Sequence, residues 1–111
     1  MASARRAALL GKRVCLIENR VIGGTCVNVG CVPKKVMFNL ANFLEEAQVM
    51  KGYGVSGTED LRLDFASFKA KRDAYVKRLN DIYKRNVDNA NITYVEGTAS
   101  FVSDKLVKVG E

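Results

Sequence analysis

The chain has 111 residues, 48% of them hydrophobic, which suits one small domain with an ordinary core and excludes a second full domain. Its net charge of +6 favours anionic partners such as phosphates, acidic small molecules or nucleic acid. The sequence has no apolar run long enough to span a membrane and lacks the apolar core of a secretory signal. We expect a cytoplasmic protein, with mitochondrial import as the alternative because residues 1–13 are rich in Arg, Ser and Ala.

The first half of the chain predicts a helix, a strand and a second helix. Residues 3–10 are strong helix formers, and Gly11 stands where the helix should end. Residues 14–18 form an apolar run that closes with a carboxylate, which is typical of a buried parallel strand. Glycines at 23, 24 and 30 indicate an irregular segment. From Pro33 a helix is predicted, whose apolar face consists of Val36, Leu40, Phe43, Leu44 and Ala47.

The second half predicts a loop, a long helix and a group of strands. Residues 50–60 are glycine-rich and indicate a surface loop. Asp64 is a plausible N-cap for a helix that ends near Asn89. Its apolar residues recur at steps of three and four: Phe65, Phe68, Tyr75, Leu79, Ile82 and Tyr83. The remaining residues form short β-rich pieces broken at 96–97 and 103–104, which predict a β-meander.

Cysteines supply the main chemical signal. The chain has three cysteines and no histidine, so a secreted disulfide framework and histidine-based acid–base catalysis are both excluded. Cys26 and Cys31 look like a pair. In a regular helix, residues five apart have Cα atoms about 9 Å from each other, too far for a disulfide. A bond between them would need a distorted turn, which Asn28 and Gly30 tolerate.

Three interpretations of this pair stay open at this point. The first is a redox-active disulfide, and the second is two reduced cysteines in a loop. A metal site is disfavoured because three cysteines without histidine supply too few ligands. Lys34 and Lys35 follow Cys31 by three and four residues and would lower a thiol pKa there, together with the helix N-terminus. Cys15, inside the apolar strand, is predicted to be a small buried hydrophobe.

Four segments together resemble one known family. They are "GGTCVNVGCVPKK" at 23–35, "SARRAALLGKRVCLIE" at 3–18, "KRDAYVKRLNDIY" at 71–83 and "VEGTASF" at 95–101. These segments resemble the FAD domain of pyridine nucleotide–disulfide oxidoreductases. Trypanothione and thioredoxin reductases share much of the cysteine motif, whereas lipoamide dehydrogenases usually carry Ser-Lys in place of Lys34-Lys35. The tyrosine-bearing segment 71–83 favours the members that reduce glutathione disulfide.

The resemblance implies an α/β fold, a partial Rossmann-like FAD-binding domain with two long helices and a C-terminal β-meander. It also implies that electrons pass from NADPH to FAD, then to a Cys26–Cys31 disulfide, and then to glutathione disulfide. Cys31 would be the flavin-proximal sulfur, in charge-transfer contact as a thiolate, and Cys26 would attack the substrate. Lys34 would stabilise negative charge on the reduced flavin, with Lys35 beside it.

The remaining site residues also follow from the resemblance. Glu18 would hydrogen-bond the FAD ribose, and Thr25 and Ala99 would contact the flavin and the adenine side. Arg5 and Tyr83 would bind glutathione, although Arg5 also fits an exposed helix charge and Tyr83 also fits core packing. No metal is expected.

The chain departs from the family in two respects. The family's Gly-x-Gly-x-x-Gly fingerprint and first strand belong before residue 3, and the NADPH and interface domains belong after residue 111. We therefore expect residues 1–111 to be a partial FAD-binding domain of a homodimeric reductase, as a fragment, a truncated isoform or an incomplete gene model.

Two further hypotheses compete with the enzyme. A basic stripe on the long helix could bind phosphates or nucleic acid, although acidic residues interrupt it and no nucleic-acid motif accompanies it. The stripe consists of Lys71, Lys77, Arg78, Lys84 and Arg85, and the interruptions are Asp73, Asp81 and Asp88. Alternatively, the chain is a non-catalytic fragment that pairs with the full-length reductase.

Overall fold

The computed structural model describes residues 1–110, which combine helices with short strands. In chain order the elements are α1 (Ala2–Leu9), β1 (Cys15–Glu18), α2 (Gly24–Asn28), α3 (Cys31–Met50), a 3-10 helix (Lys51–Tyr53), α4 (Phe65–Asn89), β2 (Thr93–Glu96), β3 (Ala99–Ser103) and β4 (Leu106–Val109). The expected mixture of helices and strands is confirmed. Within these 110 residues every helix is too short or too polar to cross a membrane.

The chain divides into two compact units. We call residues 1–24 together with the chain from Arg78 onward the strand unit, and Thr25–Lys77 the helical unit. The strand unit contains α1 and all four strands, and the helical unit contains most of α2, α3 and the first half of α4.

Local capping residues set the ends of the helices. After α1, Gly11 adopts φ +74°, and the N–H groups of Gly11 and Lys12 donate to the carbonyls of Ala8 and Ala7 at 2.9 and 3.1 Å. This is the Schellman arrangement that the glycine predicted. At the start of α4, the Asp64 carboxylate accepts the Ser67 N–H at 3.0 Å, which confirms Asp64 as the N-cap.

The strands form two separate pairs. β1 lies parallel to β2, in a register that places Cys15 opposite Thr93 and Glu18 opposite Glu96. β3 and β4 form an antiparallel hairpin. The expected β-meander is therefore wrong for β2, which pairs with β1 instead. Gly97 explains the separation, because its φ of +149° turns the chain out of β2 before β3 begins.

The core of the strand unit joins the start of the chain to the end of α4 and to β2. Ile22, Val87 and Ile92 are buried, and half-buried side chains of α1, β1, α4, β2 and the residues that flank these elements pack around them. Val14 and Leu16 both pack against this core. Because side chains alternate along a strand, Cys15 faces the opposite side and is exposed. The expectation that Cys15 is buried is wrong.

The helical unit buries few apolar side chains. Val27 and Ala47 are buried, while Val36, Leu40 and Leu44 are half-buried as predicted. Phe43 was expected on the same face but is exposed, as are Phe65 and Tyr75 of α4. Because α3 carries apolar residues around most of its circumference, its sequence periodicity could not identify which of them the fold covers.

Candidate redox site

The two motif cysteines lie on either side of a break between two helices. Cys26 is within α2, and Cys31 is the first residue of α3. The Val29 N–H donates to the Thr25 carbonyl at 3.0 Å, and the Lys34 N–H donates to the Gly30 carbonyl at 3.1 Å, so each helix closes on its own side of the break. The chain between Cys26 and Cys31 is therefore not a regular helix, which is the first condition for a bond between them.

The side chains of Cys26 and Cys31 are in contact as free thiols. A hydrogen bond with the Cys31 side chain is the largest cause that raises the pKa of Cys26, followed by desolvation and by the charge of Cys31. These causes favour the protonated form of Cys26. Both side chains are exposed, so a dissolved disulfide can reach them.

Lys34 adds positive charge next to this pair. A hydrogen bond with the Cys31 backbone and then the charge of Lys34 lower the pKa of Cys26, each by less than the causes that raise it. The N-terminus of α3 adds its partial positive charge at Cys31. Lys34 also lines a cavity of about 810 Å³ in the helical unit, together with Pro33, Met37, Phe38 and Arg72. Lys35 is exposed on α3, and Thr25 is exposed at the start of α2.

A second group of predicted residues meets at the carboxyl ends of β1 and β2. The Glu18 carboxylate accepts the Arg20 N–H at 3.0 Å, and its backbone carbonyl accepts the Gly97 N–H at 3.0 Å. The Asn19 side-chain amide donates to the Thr98 hydroxyl at 3.5 Å. The parallel pairing thus brings Glu18 next to the segment that leads into Ala99. Sequence reasoning missed Asn19 and the contact that it makes, because only strand pairing reveals it.

Arg5 and Tyr83 have different surroundings within the strand unit. Arg5 is exposed on α1, where Ala4 and Ala8 take the core-facing positions. Tyr83 is half-buried and packs against the core of Ile22, Val87 and Ile92. The alternative interpretation of Tyr83, as a packing residue, therefore has direct structural support.

The basic stripe of α4 is partly paired with acidic groups. Lys84 lies 3.7 Å from the Glu96 carboxylate, and its ammonium is 5.9 Å from the centre of the Tyr94 ring. Elsewhere on α4, Asp73 accepts from Lys69 at 2.7 Å and from Arg72 at 2.6 Å. These pairs reduce the positive charge that the helix could offer to phosphates.

Comparison with known proteins gives a consistent result. Over residues 1–111 the chain matches the family model of the pyridine nucleotide-disulphide oxidoreductases. It is 51% identical over 109 residues to a glutathione reductase of Debaryomyces hansenii, covering 93% of this chain and 22% of that protein. Glutathione reductases of Yarrowia lipolytica and Schizosaccharomyces pombe are 50% and 48% identical over 103 and 110 residues.

These alignments with the Yarrowia and Schizosaccharomyces proteins cover 90% and 98% of this chain, and 22% and 24% of the relatives. The chain therefore spans less than a quarter of the length of the curated relatives that it matches. Because the family model covers the whole chain, the protein belongs to the pyridine nucleotide-disulphide oxidoreductase family.

Proposed function

We propose that this chain carries the redox-active dithiol of an FAD- and NADPH-dependent reduction of glutathione disulfide, a reaction of cell redox homeostasis. The single observation behind this proposal is the contact between the thiols of Cys26 and Cys31 at the break between α2 and α3. The relatives named glutathione reductase support the choice of substrate. The cytoplasm, where thiols are kept reduced, suits this chemistry.

The exchange chemistry has two balanced steps. Cys26, as a thiolate, attacks one sulfur of glutathione disulfide, forms a mixed disulfide and releases one glutathione thiolate. Cys31 then attacks the Cys26 sulfur, forms the Cys26–Cys31 disulfide and releases the second glutathione. The dithiol loses two electrons, the substrate gains them, and the two thiol protons end on the two glutathiones. The contact of the sulfurs keeps the second step intramolecular.

Two separate features of the chain support FAD as the cofactor. Lys34 places a cation beside the thiols and on the rim of a cavity of ligand-binding size. Glu18 presents a carboxylate at the carboxyl end of a parallel strand, where ribose hydroxyls bind in dinucleotide folds. Bound FAD would supply a two-electron carrier between NADPH and the disulfide. The family resemblance assigns the contacts with FAD to Glu18, Thr25, Cys26, Lys34, Lys35 and Ala99.

Substrate binding by this chain is assigned to Arg5 and Tyr83. Arg5 is exposed and can pair with a glutathione carboxylate, and the net charge of +6 favours an anionic tripeptide. Tyr83 is only half-buried, so its ring can contribute to the core and to the substrate. Homodimerisation is part of the same proposal and follows from the family resemblance.

Trapping of glutathione tests this function. In a Cys15→Ser background, the chain should react with glutathione disulfide to give the Cys26–Cys31 disulfide and two glutathiones per chain, measured by mass spectrometry. With Cys31→Ser added, the reaction should stop at one glutathione bound to Cys26, because the resolving thiol is gone. With Cys26→Ser instead, the mixed disulfide should form more slowly. Equal trapping in both variants, with no internal disulfide in the parent, would contradict the assignment.

A further inference from the structure

Gly30, which caps the N-terminus of α3, lies close against the backbone of α2. A Cβ atom at this position would lie 2.9 Å from the Thr25 carbonyl oxygen and 3.3 Å from the Cys26 Cα atom. Both are backbone atoms, and the Thr25 oxygen is already fixed by its bond from the Val29 N–H at 3.0 Å. No side-chain rotation can therefore make room for a substituent at Gly30.

This contact joins the backbone next to Cys31 to the backbone at Cys26. Gly30 immediately precedes Cys31, and the atoms that it meets belong to Cys26 and to the residue before Cys26. A methyl group at position 30 must push the Cys26 backbone away from the Cys31 backbone by a few tenths of an ångström. We propose that Gly30 is a positioning residue whose missing side chain sets the backbone separation at which the sulfurs of Cys26 and Cys31 can bond.

The stability of the disulfide state should depend on this backbone separation more strongly than the stability of the dithiol state does. A disulfide fixes its sulfurs at about 2.05 Å and requires Cα atoms within a narrow range, whereas two thiols in hydrogen-bond contact tolerate a longer distance. The inference rests on the proposed function, since it concerns the same exchange. Two electrons pass from the dithiol to a small-molecule disulfide, which leaves as two thiols with the two protons.

Gly52 offers a matched control in the same unit. A Cβ atom there would have no atom within 4 Å, and this glycine lies in the exposed 3-10 helix that follows α3. Gly52→Ala therefore adds the same methyl group without touching the turn between Cys26 and Cys31.

The test is the thiol–disulfide equilibrium of the full chain in glutathione redox buffers, in a Cys15→Ser background. Gly30→Ala should shift the equilibrium toward the dithiol by about tenfold, which is about 30 mV for this two-electron couple. Gly52→Ala should leave it unchanged. In Gly30→Ala, Cys26 should also react with iodoacetamide at lower pH, since its contact with Cys31 is loosened.

Circular dichroism checks that the variants are equally helical. A variant with reduced helix content is measured in sucrose, which favours the folded chain, against its parent in the same medium. Equal equilibria for Gly30→Ala and Gly52→Ala would overturn the positioning role and leave the proposed function intact. A parent that never forms the Cys26–Cys31 bond would overturn the proposed function, and the inference with it.

Discussion

The strand unit holds a cluster of buried apolar residues, whereas the cysteine pair of the helical unit lies at the surface. In the strand unit, Val87 is 1% exposed and packs with Ile22 and Ile92, so two distant parts of the chain share one core. In the helical unit, Phe38 and Phe43 are 63% and 59% exposed, and Cys26 and Cys31 are exposed as well. The clustered core and the thiol pair therefore belong to different units.

Truncation of the core should have the largest effect on stability. Val87→Ala should lower the free energy of unfolding by about 2 kcal/mol, because it leaves a cavity between Ile22 and Ile92. The change is measured by urea denaturation. Val49→Ala is the matched control, and since Val49 is 59% exposed it should alter stability by less than about 0.5 kcal/mol.

The same variants test whether the packing of the core and the thiol–disulfide equilibrium are independent of each other. The thiol–disulfide equilibrium of folded Val87→Ala should equal that of the parent. A large shift in that equilibrium, or equal destabilisation by the two valine variants, would show that the division between packing and chemistry is wrong.

Glu18 tests whether the strand unit also contributes to cofactor binding. Glu18→Gln should weaken FAD binding by about tenfold, since one charge-assisted hydrogen bond to a ribose hydroxyl becomes a neutral one. Quenching of FAD fluorescence measures the affinity, and Glu45→Gln on the exposed surface of α3 is the control. Equal affinities for all three chains, or no saturable binding by any of them, would contradict the role of Glu18.

Asn80 fixes the segment before the two motif cysteines within the strand unit. Its side-chain amide donates to the Ile22 carbonyl at 2.7 Å in a partly buried position. Asn80→Ala should lower the free energy of unfolding by about 1 kcal/mol, because it removes this bond. Asn42→Ala, which loses only an exposed bond to Glu46 at 3.2 Å, should have less effect in the same urea experiment. The reverse order would contradict this account.

Replacing Asp73 in the helical unit should have the smallest effect on stability, and only the pH dependence of stability should reveal it. Hydrogen bonds from Lys69 and then Arg72 lower the pKa of this exposed carboxyl. A carboxyl whose pKa is lowered in the folded state stabilises the fold fully above its unfolded-state pKa. This contribution is lost as the pH falls through the folded-state pKa. The parent should therefore lose more stability than Asp73→Asn as the pH falls below the ordinary Asp pKa of 3.8. High salt should remove the difference, and a difference that persists would implicate another cause.

Local signals allowed several features to be predicted from the sequence. Gly11 and Asp64 fixed helix ends because the bonds that they make involve residues within a few positions. The need for a distorted turn between Cys26 and Cys31 followed from helix geometry alone. Lys34 was placed near the thiols by its spacing from Cys31, and its effect on the pKa of Cys26 agrees.

Long-range contacts account for what could not be predicted. The β-rich sequence of β2 does not indicate that its partner is β1. The contact of Glu18 with Gly97 could therefore not be predicted from the sequence. Cys15 was misassigned because an apolar run does not tell which of its alternating side chains faces the core. The role of Gly30 depends on how two helices meet, and a glycine in the sequence indicates only that small size is allowed there.

The most direct test of the central claim is the pH dependence of Cys26 alkylation, in a Cys15→Ser background with and without Cys31→Ala. Because contact with Cys31 raises the pKa of Cys26, removing Cys31 should lower it and make Cys26 react faster at each pH below its ionisation. The two profiles should meet at high pH, where the thiol is ionised in both chains. Identical profiles throughout would show that the two thiols do not touch, and the proposed exchange would lose its structural basis.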